Sequence, residues 1–394
     1  MPAIAGFWHS SLFAQSINPF KRKIKNVPTQ TQPVYIGSVT GKPGEGIYLA
    51  YFNPTTGQLT DPTLAAEAHN PSYLTLARLG SRHVLYAANE GDEHSSGVSS
   101  YLIDPKTSAL TGLNKVPCGT GPCYVSVNAS ASAAFCANYM GSSVNSFQVK
   151  TDGSLSPMVE QLNFKLAEFG HHGPNAARQD ASHPHSASIS PDNRFLIVND
   201  LGNDNIVTLS IHPDTAKLGP PRLNECKRKG SGPRHLTFHP NKRWAYGVNE
   251  LTSTVQHYLW NTTDGIAGSG PLALLTWAGD EVSTLAAGFH GMNTAAEILV
   301  SPDGQYMVVS NRGENSLVVF KIDTTSGALS FVQRVPCGGK IPRQFTLGST
   351  GNWLLCGNSG SDSITVFARE QASGKLSGPV QTLAINGPQM ILFA

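Results

Sequence analysis

The stretch GPRHLTFHPNKRWAYGVNELTSTVQHYL, residues 232–259, decides the fold. It runs from a Gly-Pro through one variable residue into an alternating apolar run, a Pro-Asn turn, a second apolar run ending at Asn249, and a third run beyond it. Alternation at period two marks strands, where a helix would repeat every 3.6 residues. Two charges stand at the edges of this pattern. Arg234 follows the Gly-Pro that opens the first run, and Glu250 follows the Val-Asn that closes the second.

The same order recurs along the chain. NPSYLTL, GPCYVSV, HPHSASI, GPRHLTF, AAEILVS, IPRQFTL and GPQMILF begin at 70, 121, 183, 232, 295, 341 and 387. After each of the first six comes a turn and a second run, closing at Asn89, Asn138, Asn199, Asn249, Asn311 and Asn358. Copies starting 46 to 63 residues apart, each with three or four short strands, fit the period of a β-propeller blade. The seventh copy runs out at Ala394, and its missing runs stand at the other end of the chain, VYIGS at 34–38 and GIYLAYF at 46–52. The sequence therefore predicts an all-β, seven-bladed β-propeller over residues 33–394, closed by pairing of N- and C-terminal strands, which removes open sheet edges.

Composition agrees with that class and narrows the partners. With 14% charged residues, 39 glycines and 26 prolines, the chain is turn-rich and poor in polar helices. A net charge of +2 argues against nucleic acid as a partner, since phosphate binding draws on a strongly basic face. No apolar run approaches the roughly 18 residues of a membrane span. Six cysteines are too sparse for a disulfide framework, and the pair Cys118 and Cys123 reads as a zinc half-site, a small disulfide loop or simply a proline-bounded turn. Residues 1–32 form a tail, read as disordered or as the remnant of a signal; its Lys21–Lys25 basic run reads as solvated. A cytoplasmic location follows, or a periplasmic or secreted one if the N-terminus is a truncated signal.

In each copy the first and second runs form an antiparallel hairpin, so the start of one and the end of the other share one mouth of the central channel. This pairs Arg234 with Glu250, His185 with Asp200, Glu297 with Arg312, Arg343 with Ser359, Cys123 with Tyr139 and Ser72 with Glu90, at separations of 16, 15, 15, 16, 16 and 18 residues. The ring so formed carries Arg234, Arg312 and Arg343 against Glu90, Asp200, Glu250 and Glu297, with His185 among them. As structure alone it is a set of ion pairs around a wet channel. As a site, its guanidiniums bind anionic oxygens in bidentate fashion, and a carboxylate or His185 beside them serves as general base. His171, His172, His183 and His185 supply no identifiable third ligand, so no metal or other cofactor is expected. Arg178, in the loop GPNAARQD, reads as an ordinary loop arginine or as a lid over the mouth.

HPHSASISPDNRFLIVNDLGNDNI, GPRHLTFHPNKRWAYGVNELTSTV, SPDGQYMVVSNRGENSLVVF and IPRQFTLGSTGNWLL resemble the seven-bladed propeller lactonases, which include bacterial 6-phosphogluconolactonase and fungal carboxy-cis,cis-muconate cyclase. The resemblance runs from about Pro33 to Ala394. It implies a cleft set of His185, Arg234, Glu250 and Arg312, all already on the predicted rim, and a metal-free reaction on a small anionic lactone. Glu250 or His185 would take the proton of the attacking water, Glu250 being preferred with His185 then left to protonate the leaving oxygen, and Arg343 and Glu297 are added as substrate-binding residues from the ring alone. Three functions stay open at this point: a lactone hydrolase of the 6-phosphogluconolactonase type, a carboxy-muconate cycloisomerase, and a non-catalytic propeller scaffold. The chain is expected to act as a monomer or weak homo-oligomer.

Overall fold

The computed structural model describes residues 31–41, 45–263 and 272–394, so residues 1–30 of the tail read over 1–32 lie outside the described part, while Gln32 already belongs to the first strand, paired with Phe52. Its strands form seven antiparallel sheets of four or five strands each. Successive innermost strands touch around a closed ring, the last, Pro388–Phe393, packing on both Pro342–Leu347 and Pro71–Leu79. Closure occurs in the seventh blade, where Val34, Tyr35, Ile36 and Gly37 pair with Phe393, Leu392, Ile391 and Met390. The one short helix among the described residues is a single 3-10 turn, Ala167–Phe169.

The blades are held together by apolar clusters that straddle neighbouring sheets. Val84 and Tyr86 of the first blade, for example, pack with Ala134, Cys136 and Phe147 of the second. Burying one such large side chain contributes about 1.5–3 kcal/mol. Tyrosines then tie blades by their polar ends: Tyr35 Oη donates to the Ser108 carbonyl at 2.7 Å, Tyr86 Oη to Gly153 at 2.8 Å and Tyr246 Oη to Gly327 at 2.9 Å. Each phenol keeps its hydroxyl satisfied while its ring fills the gap between sheets. The asparagines that close the second runs are buried, and several tie strands within a blade; Asn249 donates to Thr254 Oγ1 and Asn358 to Thr365 Oγ1, both at 3.0 Å, whereas the Asn199 side chain finds no hydrogen-bond partner among the described residues.

One feature invisible to period-two counting sets the geometry of the mouth. In every innermost strand the register with its neighbour shifts near the start: Pro71 pairs with Asn89 but Tyr73 with Ala88, and the same break follows Pro122, Pro184, Pro233, Pro342 and Pro388. The extra residue is a β-bulge, which bends the strand and re-aims one side chain. Ser72, Cys123, His185, Arg234, Arg343 and Gln389 occupy that position. In the fifth blade Ala295 pairs with Asn311 and Ile298 with Val309, so Ala296 holds the bulge position and Glu297 lies one residue further along. In the third blade Pro184 pairs with Asp200, where the first, second, fourth and sixth blades pair proline with asparagine, and Leu201 takes the place that Glu250 holds in the fourth. With these two corrections the bulge and rim residues stand 16 apart, as Arg234 and Glu250 do, in every blade read from the repeat except the first.

Candidate active site

Three adjacent blades and one loop converge on Glu250. Arg234 and Glu250 come from the two inner strands of the fourth blade, His185 from the bulge of the third, and Arg312 from the rim of the fifth. Arg234 Nε reaches Glu250 Oε2 at 3.1 Å and Arg312 Nη2 reaches the same oxygen at 2.7 Å. Arg178 Nη2 takes the other oxygen, Oε1, at 2.5 Å, from a turn in which the Arg178 amide donates to the Asn175 carbonyl. His185 Nε2 stands 3.9 Å from Oε2. The backbone of the fifth blade fixes the two strand arginines: Arg234 Nη1 donates to the Ala296 carbonyl at 2.9 Å and Arg312 Nη2 to that of Ala295 at 3.1 Å.

This arrangement sets the protonation of its members. Burial alone would push the Glu250 carboxyl up, but Arg312, Arg234 and Arg178 overcome it and hold it at about 2. Burial, and then the charges of Arg234, His235, Arg343 and Arg312, hold the His185 imidazole well below its ordinary 6.5, so it is neutral at pH 7. Burial, followed by repulsion from Arg312, lowers Arg234 to about 10, which still leaves it charged. The cluster is thus a fixed carboxylate, charged guanidiniums around it, and a neutral imidazole. Tyr139 walls it, its ring 5.3 Å from that of His185 and its hydroxyl accepting from Arg178 at 3.3 Å.

Two predicted ring members lie elsewhere. Glu297 faces down the channel, accepting from His235 Nδ1 at 3.0 Å and from the Ile298 amide, while His235 Nε2 accepts from Arg234 Nη1 at 3.2 Å. It lines the narrow waist below the mouth and the chamber beyond it. Asp200 is fully buried and caps a turn, accepting from Ser182 Oγ and the His183 amide at 2.7 Å, and from the amides of Gly202 and Asn203 at 3.1 and 3.2 Å. Burial pushes its carboxyl up to about 6 against these hydrogen bonds. The equivalent residue is asparagine in five of the other blades and Ser38 in the seventh, so a neutral side chain suffices there. Asp200→Ala is expected to cost about 2–3 kcal/mol in urea unfolding, because it strands buried amides, and Asp200→Asn about 1 kcal/mol or less. Equal costs for the two would refute a capping role.

Removing Asp200 and Glu297 and adding Arg178 changes the charge of the mouth. Four guanidiniums, on Arg178, Arg234, Arg312 and Arg343, now face two carboxylates, on Glu90 and Glu250, an excess of two positive charges. Arg178 was the least legible of these, since it lies on no repeat; its place in a loop just ahead of the His183 strand was its one signal. The other motifs resolve as structure. His183 stacks on Tyr139 and pairs with Asp180, so the bulge separates it from His185. All six cysteines are thiols, and among the described residues no cluster of His, Cys, Asp and Glu has the makings of a metal site. Among the described residues no helix is long and apolar enough to cross a membrane.

Beside the Glu250 cluster the mouth opens into a cavity of about 440 Å³ lined by Asn70, Ser72, Glu90, Met140, Arg343 and Gln389. A carboxylate-anchored guanidinium pair, a neutral imidazole and an adjoining cavity are what nucleophilic addition of water to a carbonyl requires.

Comparison with known proteins points the same way. The family model described as "Lactonase, 7-bladed beta-propeller" matches residues 33–393. A 6-phosphogluconolactonase of Bacillus subtilis is 32% identical over 317 residues, 80% of this chain and 85% of its own length. Another, from Formosa agariphila, is 31% identical over 363 residues, 90% of this chain and 97% of its own. The solved structure of a periplasmic gluconolactonase of Pseudomonas aeruginosa superposes with a TM-score of 0.81 at 31% identity, covering 92% of this chain and 99% of that one.

Proposed function

The chain belongs to the seven-bladed β-propeller lactonase family, and we propose from that premise that it hydrolyses a small anionic sugar lactone of the 6-phosphogluconolactone type at the Glu250 cluster. The observation that carries the assignment is a neutral, buried His185 beside two strand arginines that share one carboxylate oxygen.

The roles follow from protonation. A carboxyl held at about 2 is a weak base, so Glu250 serves to fix the guanidiniums, and the roles first assigned to Glu250 and His185 are redistributed. His185 takes a proton from water as its oxygen adds to the lactone carbonyl. Arg234 and Arg312 stabilise the oxyanion that forms, in a site where burial strengthens their charge. Collapse of the tetrahedral intermediate breaks the bond to the ring oxygen, which the His185 imidazolium protonates, giving the open hydroxy acid. One chain supplies every group named, which supports a monomeric enzyme.

The test is proton release from fresh 6-phosphoglucono-δ-lactone against the spontaneous rate. Strong acceleration is expected. A folded protein that accelerates neither this lactone nor glucono-δ-lactone, yet turns over a carboxy-muconate, would establish the cycloisomerase instead. The pH profile gives a further check. Imidazolium cannot accept the water proton, so kcat/KM falls as pH drops through the lowered His185 value, and its acid limb is expected below 6.5. An acid limb at or above 6.5 would count against His185 as base.

A further inference from the structure

The cavity beside the reactive cluster contains two charges that the protein leaves without partners. Among the described residues the Arg343 guanidinium makes no hydrogen bond or ion pair, and the Glu90 carboxylate makes none either, although both line the same space. The other polar groups of the lining are engaged with the protein. Asn70 accepts from Thr40, Ser72 donates to the Pro122 carbonyl, and Gln389 donates to that of Gly387. Opposite charges sharing a half-buried cavity would gain by pairing with each other, since an unpaired charge out of bulk water is costly. That they stand apart leaves a guanidinium asking for an anionic oxygen and a carboxylate asking for hydrogen-bond donors.

We propose that Arg343 and Glu90 form the subsite that recognises the substrate away from its reacting carbonyl, Arg343 holding an anionic group and Glu90 accepting from hydroxyls, which selects a polyhydroxylated anionic lactone over a hydroxyl-free dicarboxylate one. The proposal rests on the lactonase reading of the same mouth. Its position suits the role: Arg343 also lines the waist with Arg234, so the subsite is continuous with the reactive half. At about 440 Å³ the cavity falls in the range of roughly 300–1,000 Å³ usual for small-molecule pockets. Val39 and the 63% exposed Met140 offer an apolar wall to the carbon skeleton. Glu90 works by exclusion as well as attraction, because a second substrate carboxylate placed there meets like charge, and specificity is a difference between two affinities.

The test uses the full chain with Arg343→Gln and Glu90→Gln, each checked for an unchanged melting profile. The substrates are 6-phosphoglucono-δ-lactone, glucono-δ-lactone and δ-valerolactone, and binding of 6-phosphogluconate is followed by calorimetry. Arg343→Gln is expected to lower the ratio of kcat/KM for the phosphorylated over the unphosphorylated sugar lactone by at least about tenfold, chiefly through KM, the size of one charge-assisted contact. Glu90→Gln is expected to lower the ratio for glucono-δ-lactone over δ-valerolactone by about fivefold, as a neutral acceptor replaces a charged one. Ratios that do not move overturn the subsite. If wild type turns over none of the three lactones but binds 6-phosphogluconate, and Arg343→Gln weakens that binding about tenfold, the subsite stands and the lactonase reading falls. If binding too is absent or unaffected, the subsite falls with it.

Discussion

Glu250→Gln is expected to reduce kcat/KM by about 10²–10³ and to destabilise the fold by about 3–5 kcal/mol. Both effects have one cause. Glu250 is buried, and it neutralises Arg234, Arg312 and Arg178 at separations of 3.1, 2.7 and 2.5 Å. A neutral amide leaves these guanidiniums repelling one another, two of them almost fully desolvated and pinned to the fifth blade by their bonds to Ala295 and Ala296. They cannot all relax into water, so the loss appears as instability, and those that move no longer meet the oxyanion. The sign of the pH dependence is definite. A carboxyl depressed from 4.5 to about 2 contributes stability that is complete above 4.5 and lost as pH falls through about 2. The variant should therefore lack that part of the wild-type acid destabilisation. Urea unfolding at pH 7 and along an acid series measures both quantities. A variant as stable as wild type would show that Glu250 does not anchor the arginines, and would return it to the role of base.

Most of the architecture was legible because each blade repeats the same local instruction. Gly-Pro or its equivalent, an alternating run, a turn, and a run ending in asparagine state the same hairpin again and again. The stranded VYIGS and GIYLAYF runs even announced the closure, now seen as Val34 pairing with Phe393. What alternation does not show is a bulge, which changes the facing of every residue before it without changing composition. Glu297 was placed on the rim because AAEILVS was aligned by its polar residue; the pairing of Ala295 with Asn311 moves it one position down the channel. Asp200 was placed there because Asn199 was matched to the other asparagines, whereas the pairing with Pro184 makes Asp200 their counterpart. A uniform separation of 16 was the available clue, since both residues broke it by one. Arg178 lay outside any such rule, because a contact made by a loop across 72 residues of chain has no period to reveal it.

His185→Asn is expected to lower kcat by about 10²–10⁴, the usual contribution of a positioned acid-base group, while costing no more than about 1–2 kcal/mol of stability. The contrast with Glu250→Gln follows from what each side chain touches. His185 is neutral and 3.9 Å from Glu250, packed between Tyr139 and His235 with ring separations of 5.3 and 5.4 Å, so its removal strands no buried charge. Asparagine fills part of the space and has no titrating nitrogen. The acid limb of kcat/KM should vanish in His185→Asn and persist, at a much lower rate, in Glu250→Gln. The nearby Cys123 thiol cannot take over the proton transfer, because burial pushes it up to about 12 and its sulfur already lies 3.3 Å from the His185 carbonyl. Single-turnover rates across pH for the two variants, set beside their unfolding curves, decide the assignment. An acid limb retained in His185→Asn and lost in Glu250→Gln would make the carboxylate the base, and the three arginines around it would then need another explanation for holding it ionised.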